Sequence, residues 1–368
     1  MRTLFINGKF AAQRLTGVQR LASSLIQALD ILLQETGNSD RWILLCPPSA
    51  TPPVLKRIEV RFVGAMCGSL HVWEQFFLPV YTVGRPLLNL AGPAPLLKRL
   101  QVCMIPDAAV FDHTQAYTTA YGAWYRLLFR VVSHSARLVL TISEFSRQRL
   151  IQALGSHARR LQLVYCAATH IKSVAPELAV LDRLALNRVK YLLAVGSMNP
   201  TKNLPALVSA FRAINEPAIR LVLVGGGNSA VFACESLDAI GDPRVIVTGA
   251  ISDGELSALY GHAHAFVFPS LYEGFGIPPL EAMSLGCPVV AAKAASIPEI
   301  CDGAALYFDP LDIPDITRAL ERILADNTLR DKLHKRGAAQ AAQFTWERSA
   351  RQLLAHLSAA KLIDQPAG

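Results

Sequence analysis

The chain has 368 residues, 52% of them hydrophobic and 17% charged, with a formal net charge of +8 and a mean hydropathy of +0.30. That length suggests two domains of roughly 100–200 residues, each large enough to bury its own core. The apolar residues are scattered: no run approaches the ~18 that a membrane-spanning helix needs, and the opening MRTLFINGKF has no apolar segment with a small-residue cleavage site, so neither a span nor a signal peptide is expected.

In chain order, TLFIN (3–7) reads as a first strand, followed by a loop holding Gly17 and a helical stretch from Val18 to Leu33. WILLC (42–46), VRFVG (60–64) and QVCMI (101–105) read as strands, Ala123–Ser135 as a helix, and RLVLTIS (137–143) and LQLVY (161–165) as further strands. Residues 167–188, with Pro176 and mixed polarity, read as a linker. YLLAVGS (191–197), RLVLVGG (220–226), RVIVTGA (244–250), AFVFPS (265–270) and CPVVAA (287–292) repeat the strand pattern, and Trp346–Leu362 has apolar residues at helical spacing. Short apolar runs alternating with helical patterns are the mark of βαβ units. Two such halves predict an α/β fold of two facing Rossmann-like domains with an interdomain cleft. The expected divisions are 1–166, 167–345 and a C-terminal helix, 346–368, crossing back to the first domain.

The seven cysteines (46, 67, 103, 166, 234, 287 and 301) are widely spaced, without any C-x-x-C or Cys/His ligand pattern. They read as reduced thiols of a cytoplasmic protein. Charge is uneven: residues 1–170 hold 18 Lys and Arg against 8 Asp and Glu, and the remainder 18 against 20. A basic first half suits an anionic membrane surface or a phosphorylated acceptor. With no recognised nucleic-acid-binding module, nucleic acid is not an expected partner. In AWYRLLFRVVSHSARL (123–138), Arg126, Arg130 and His134 share one helical face, with Trp124, Leu127, Leu128, Val131 and Val132 over much of the rest. Two readings stay open: an interfacial helix at the inner face of the cytoplasmic membrane, or an amphipathic helix packed on its own sheet.

The most informative segment is FPSLYEGFGIPPLEAMSLGCPVVAA (268–292). A strand runs into a loop with Glu273, Gly274, Phe275 and Gly276, and a helix is expected to begin near Pro279 with Glu281 in its first turn. Glycines let backbone N–H groups approach a ligand, proline suits a first helical turn, and a helix N-terminus favours phosphate. Glu281 could accept two hydroxyl hydrogen bonds, as from a ribose diol, and Glu273 is placed to meet a transferred sugar. Lys202, between a strand and the helix expected near Leu204, is the cation best placed to stabilise charge developing on a pyrophosphate leaving group.

This segment resembles the signature of glycosyltransferase family 4, the retaining enzymes of the GT-B fold, which carries two glutamates with seven residues between them around a Gly-Phe-Gly turn. LLAVGSMNPTKN, SDGELSALYGHAHAFVFPS, SIPEICDGAALYFDP and FTWERSARQLL also look like family segments, as do TGVQRLASSL and TISEFSRQRL, so the resemblance covers nearly the whole chain. It implies that Glu281 binds the nucleotide ribose, that Glu273 lies by the donor sugar, and that amides of Gly274, Phe275, Gly276 and Ile277 contact sugar and diphosphate. Lys202 would bind the donor phosphates, Gly17 would let its loop approach acceptor and diphosphate, and Arg20 would follow on the acceptor side. Asp107 matches the aspartate of the family's His-Asp pair. Two positions depart from the pattern: Pro106 stands where the pair has histidine, and Ser197 where many relatives have arginine. His113, six residues past Asp107, is either a replacement for the lost histidine or a solvated loop residue.

The expectation is therefore a retaining hexosyltransferase that moves a sugar from a nucleoside diphosphate to a lipid-linked or oligosaccharide hydroxyl. GDP-mannose is the favoured donor, because the first half resembles enzymes of bacterial surface-polysaccharide pathways. The nucleotide sugar is a co-substrate, no cofactor is expected, and the absence of any Asp-x-Asp sequence argues against a metal. Three alternatives share these features: a sugar-nucleotide epimerase, a nucleotide-sugar-binding protein impaired in catalysis by Pro106 and Ser197, and an NAD enzyme using the incomplete glycine run at 224–229.

Overall fold

Seven short strands of the first half form one parallel sheet: β1 (Thr3–Asn7), β2 (Arg41–Cys46), β3 (Glu59–Phe62), β4 (Leu87–Asn89), β5 (Gln101–Met104), β6 (Leu138–Thr141) and β7 (Leu161–Leu163), in the order β3-β2-β1-β4-β5-β6-β7. A second parallel sheet holds β8 (Tyr191–Val195), β9 (Arg220–Val224), β10 (Val245–Gly249), β11 (Ala265–Phe268), β12 (Val289–Ala292) and β13 (Ala305–Phe308), in the order β10-β9-β8-β11-β12-β13. The computed structural model describes residues 2–14, 16–65, 68–155, 161–197, 199–225 and 241–364. Cys67, Cys234 and the glycine run beyond Gly225 lie outside the described residues.

The strands are apolar on both faces because helices cover both: β8, β11 and β12 bury almost every side chain. In each sheet the first strand lies between the second and the fourth, β1 between β2 and β4, β8 between β9 and β11. Connections leave the central strand in opposite directions there, and a crevice opens beyond the carboxyl ends of the strands; open α/β sheets bind ligands at such switch points. Two strands escape sequence patterning, β4 and β13. Both are short, and β4 is flanked by Arg85-Pro86 and the Gly- and Pro-bearing run after Leu90. Yet β4 completes the first switch point.

The chain divides into two compact units. The first comprises Met1–Asp112, Ala120–Cys166 and Trp346–Gly368; the second comprises His113–Thr119 and Ala167–Thr345. Within the first unit, the Trp346–Ala359 helix packs along the Gly17–Glu35 helix, and its Ser349 hydroxyl donates to the Tyr165 carbonyl at 2.6 Å. The stretch expected to be a linker, 167–188, is instead part of the second unit. Ala167, Ile171, Val180, Leu181 and Leu186 are buried, and Glu177 N donates to the Gly254 carbonyl at 3.0 Å. Its apolar residues are too irregularly spaced to announce this, because the segment packs as short turns rather than one long element.

The first unit also contains a buried polar network at its switch point. Lys9 and Glu74 are both almost inaccessible and form an ion pair at 2.8 Å. Asn7 Nδ2 donates to Glu74 Oε1 and to Asn89 Oδ1, each at 2.9 Å. Lys9 Nζ also lies 3.2 Å from His71 Nδ1, and burial first, then the Lys9 charge, hold the imidazole below its usual pKa. His71 is therefore a neutral acceptor toward the ammonium. The network bolts the helical stretch Leu70–Tyr81, which includes a π-turn at Trp73–Phe77, onto β1 and β4.

Five of the cysteines, 46, 103, 166, 287 and 301, are free and buried. Burial pushes the Cys46 and Cys301 thiols up to about 12 and raises the other three as well. Such thiols pack as small hydrophobes and have little thiolate for chemistry.

Candidate active site

The second unit assembles its site from two loops at its switch point. One leaves β8 and runs through Gly196 to a 3-10 turn, Pro200–Lys202. The other leaves β11 and runs from Pro269 to Gly276. Leu271 N donates to the Thr201 carbonyl at 2.8 Å, which ties the loops side by side. Across them Lys202 Nζ meets Glu273 Oε1 at 2.5 Å, with 22% and 14% of the two side chains exposed. Lys202 Nζ also sits 5.7 Å from the centroid of the Phe268 ring, and a Cβ on Gly196 would come within 3.4 Å of its Cγ. The lysine stem is thus confined while its head keeps access to solvent.

Why the glycines are needed here follows from contact and backbone. Gly225, at φ +134°, comes so close to Gly196 that a Cβ would lie 1.9 Å from the Gly196 carbonyl oxygen. Gly276 caps the Ile277–Ser284 helix at φ +109°, a region closed to side chains. A Cβ there would meet nothing nearer than Pro279 Cγ at 3.9 Å, so the obstacle is strain rather than crowding. Gly276→Ala should therefore lower stability by about 1–3 kcal/mol in urea unfolding, and an unchanged midpoint would show that the turn relaxes freely.

The helix begins two residues before its expected start, at Ile277, which places Glu281 in the second turn rather than the first. The Gly276 φ turns the chain into the helix earlier than the proline signal suggested. Of the first three helical positions only Ile277 retains an N–H, since Pro278 and Pro279 have none. An anion there would rely on amides of the Gly274–Ile277 turn and on Lys202 more than on a full helix terminus. Ser296 fixes the shape of that turn: its buried hydroxyl lies 2.9 Å from the Glu273 carbonyl oxygen and 2.8 Å from that of Phe275. The Ser270 hydroxyl, at the start of the same loop, is buried with no hydrogen-bond partner among the described residues.

Glu281 is 6% exposed. His170 Nε2 lies 2.9 Å from its Oε1, and Tyr260 Oη donates to its Oε2 at 3.1 Å. An ionised carboxylate offers about four lone-pair sites, so this grip leaves acceptor capacity for a pair of ligand hydroxyls. Sequence reading missed both His170 and Tyr260: one sits in the supposed linker, the other inside the Asp253–His262 helix. No sequence signal connects residues 111 positions apart. His113 also finds a place in this unit. It packs edge-on against Tyr272, ring centroids 4.7 Å apart, beside Glu273, so it is not a free loop residue.

Residues 182–340 match the family model described as glycosyl transferases group 1. The matched stretch lies within the second unit, the one that holds both loops of the site. It is 36% identical over 228 residues to O-antigen chain mannosyltransferase B of Escherichia coli, an alignment covering 60% of each chain. It is 26% identical over 230 residues to the serotype-specific mannosyltransferase WbdA of Escherichia coli, covering 61% of this chain and 27% of that one. The chain thus spans 60% of the length of the first of these relatives and 27% of the second. Among solved structures, sucrose-phosphate synthase from Thermosynechococcus elongatus matches with a TM-score of 0.75 at 21% identity, over 98% of this chain and 100% of that one. The α/β two-domain fold of this chain is shared with that structure.

The second unit brings together Lys202, Glu273, Gly274, Phe275, Gly276, Ile277 and Glu281, and the first unit holds Asp107, Gly17 and Arg20. Asp107 Oδ1 accepts from Ala109 N at 2.8 Å, closing the turn after β5, and the Pro106 carbonyl accepts from the Thr141 hydroxyl at 3.2 Å. Pro106 has a structural partner but no donor group of its own. Gly17 opens the Gly17–Glu35 helix, exposed, with open space where a Cβ would sit. Arg20 follows on the first turn, its amide bonded to the Thr16 carbonyl. Among the described residues no group of three His, Cys, Asp or Glu side chains is gathered to hold a metal ion.

Proposed function

We propose that the protein is a retaining hexosyltransferase moving mannose from GDP-mannose to a hydroxyl of a lipid-linked or oligosaccharide acceptor in polysaccharide biosynthesis. It would work in the cytoplasm or peripherally at the inner face of the cytoplasmic membrane, without a metal. The observation that carries this reading is the meeting of Lys202 and Glu273 at the switch point, with Glu281 held in the next helix. One cation, a glycine turn rich in amides and two carboxylates suit the diphosphate, sugar and ribose of a nucleotide sugar respectively. The mannosyl and polysaccharide parts rest on the two relatives' names.

In the reaction the bond from sugar C1 to the diphosphate oxygen breaks, and a new bond forms from C1 to the acceptor oxygen on the same face. The acceptor proton passes to the departing phosphate oxygen, so no protein base is required. Lys202 and the Gly274–Ile277 amides stabilise the charge gathering on the diphosphate, which is worth most where water is excluded. Glu273 lies where positive character develops on the sugar ring.

A second reading, a nucleotide-sugar-binding protein without turnover, is favoured by Pro106, which lacks a donor, and by Ser197, which leaves Lys202 as the cation of its loop. One experiment separates them: purified protein tested against a panel of nucleotide sugars for binding and for nucleotide release. The transferase reading expects acceptor-dependent release, with GDP-mannose preferred; binding without release supports the second reading. Glu281→Ala should weaken nucleotide binding by about 1–3 kcal/mol, the loss of a charged hydrogen bond. Glu281→Gln, which preserves shape, controls for folding. Parent-like binding by both variants would remove the ribose assignment.

A further inference from the structure

The Leu70–Tyr81 helical stretch has two unlike faces. Inward, Trp73 and Leu78 are fully buried in a cluster with Ile43, Leu45, Val63 and Leu87, and Glu74 is locked to Lys9. Outward, Phe76 is 68% exposed, Val80 70% and, just past the helix, Val83 77%. Leu97, 94% exposed, lies on a loop beside this helix. The loop bearing it is pinned along the helix: Gln75 Nε2 donates to the Ala94 carbonyl at 3.0 Å, Leu96 N donates to Gln75 Oε1 at 2.9 Å, and Lys98 Nζ donates to the Thr82 carbonyl at 2.8 Å. Single exposed apolar side chains are ordinary, but several carried on one rigid support mark a contact surface.

Charge says what it contacts. Between residues 70 and 100 the only acid is Glu74, and it is buried. Arg85 and Arg99 are exposed at the end of the helix and beside Leu97. We infer that this face of the first unit docks on an anionic lipid bilayer, with Phe76, Val80, Val83 and Leu97 at the acyl boundary and Arg85 and Arg99 among the headgroups. Exposed apolar side chains flanked by cations, on a segment with no exposed acid, are what such an interface selects. A second copy fits poorly, because a two-fold contact made by this segment alone offers its arginines no exposed acid to pair with.

The basic helix that sequence alone offers for this role is spent elsewhere. In Thr119–Ser135, Leu128, Phe129 and Val132 are buried. Arg126 donates to the Val110 carbonyl at 3.1 Å, and Arg130 lies over the Phe111 ring at 5.7 Å. No described helix is long and apolar enough to cross a membrane, so contact by this surface would be peripheral.

The test is flotation of the full chain with vesicles of phosphatidylglycerol and phosphatidylethanolamine, or of phosphatidylcholine alone, at low and high salt. It does not depend on the donor reading, since it measures no turnover. Binding to anionic vesicles that falls with salt is expected, with little binding to phosphatidylcholine. F76S/V80S should reduce it by roughly tenfold or more, since burial of these side chains scales with apolar area. R85Q/R99Q should remove most of the salt-sensitive part, and L127S, on the other helix, should leave it unchanged. All five positions are on the surface, so circular dichroism should confirm intact folds. No binding of the parent at low salt overturns the proposal. So does undiminished binding by both double variants, which would place the contact elsewhere. Light scattering that shows a dimer abolished by F76S/V80S, without vesicle binding, replaces the bilayer with a second copy.

Discussion

Lys202→Ala should lower kcat/KM for sugar transfer by about 10²–10³-fold, the usual loss when one pre-placed donor to a developing anion is removed. Lys202 is held by a confined stem, the Phe268 ring and Glu273, so its ammonium is in position before charge develops and needs no reorganisation. Most of the effect should fall on kcat, because the diphosphate is more negative when departing than when bound as donor. The pair with Glu273 keeps some solvent access, and the released carboxylate can hydrate, so the midpoint of thermal unfolding should move far less than activity. The double variant K202A/E273Q removes the unpaired carboxylate as a confounding factor. A loss of activity that merely tracks loss of folded protein would strip Lys202 of its catalytic assignment.

Lys9→Met should destabilise the first unit by about 3–5 kcal/mol, because it leaves Glu74 buried without its counter-ion. Glu74 is 1% exposed and Lys9 3%, so water cannot readily substitute. Asn7 Nδ2 would remain a donor to Glu74 Oε1, but one amide does not neutralise a carboxylate. The double variant K9M/E74L should recover much of the loss, since an apolar pair of similar volume often replaces a buried ion pair at little cost; Asn7 would keep its contact with Asn89. Urea unfolding with midpoint and slope measured together reads this directly. A double variant no more stable than Lys9→Met would show that the network acts through shape and not charge compensation. The result also bears on the lipid-docking face, because the same network anchors the helix that presents Phe76 and Val80.

The local alternation of apolar runs was enough to read most strands of both sheets, because parallel strands covered on both faces are apolar along their whole length. β4 and β13 were lost to that reading: a three-residue strand between prolines carries too little pattern. The loop from Pro269 to Gly276 was legible as a ligand loop, since Gly276 and the prolines announce backbone geometry by their own chemistry. The chain alone also singled out Lys202, Glu273 and Glu281. That Lys202 and Glu273 touch, that His170 and Tyr260 grip Glu281, and that His113 packs on Tyr272 were decided by tertiary structure. So was the burial of the supposed linker, 167–188, and the choice of which amphipathic helix turns its apolar side outward. The physical reason is common to all of these. Periodicity and turn chemistry are properties of neighbours in the chain, whereas a contact between residues 71 or 111 positions apart exists only once strand order has brought two loops to one switch point.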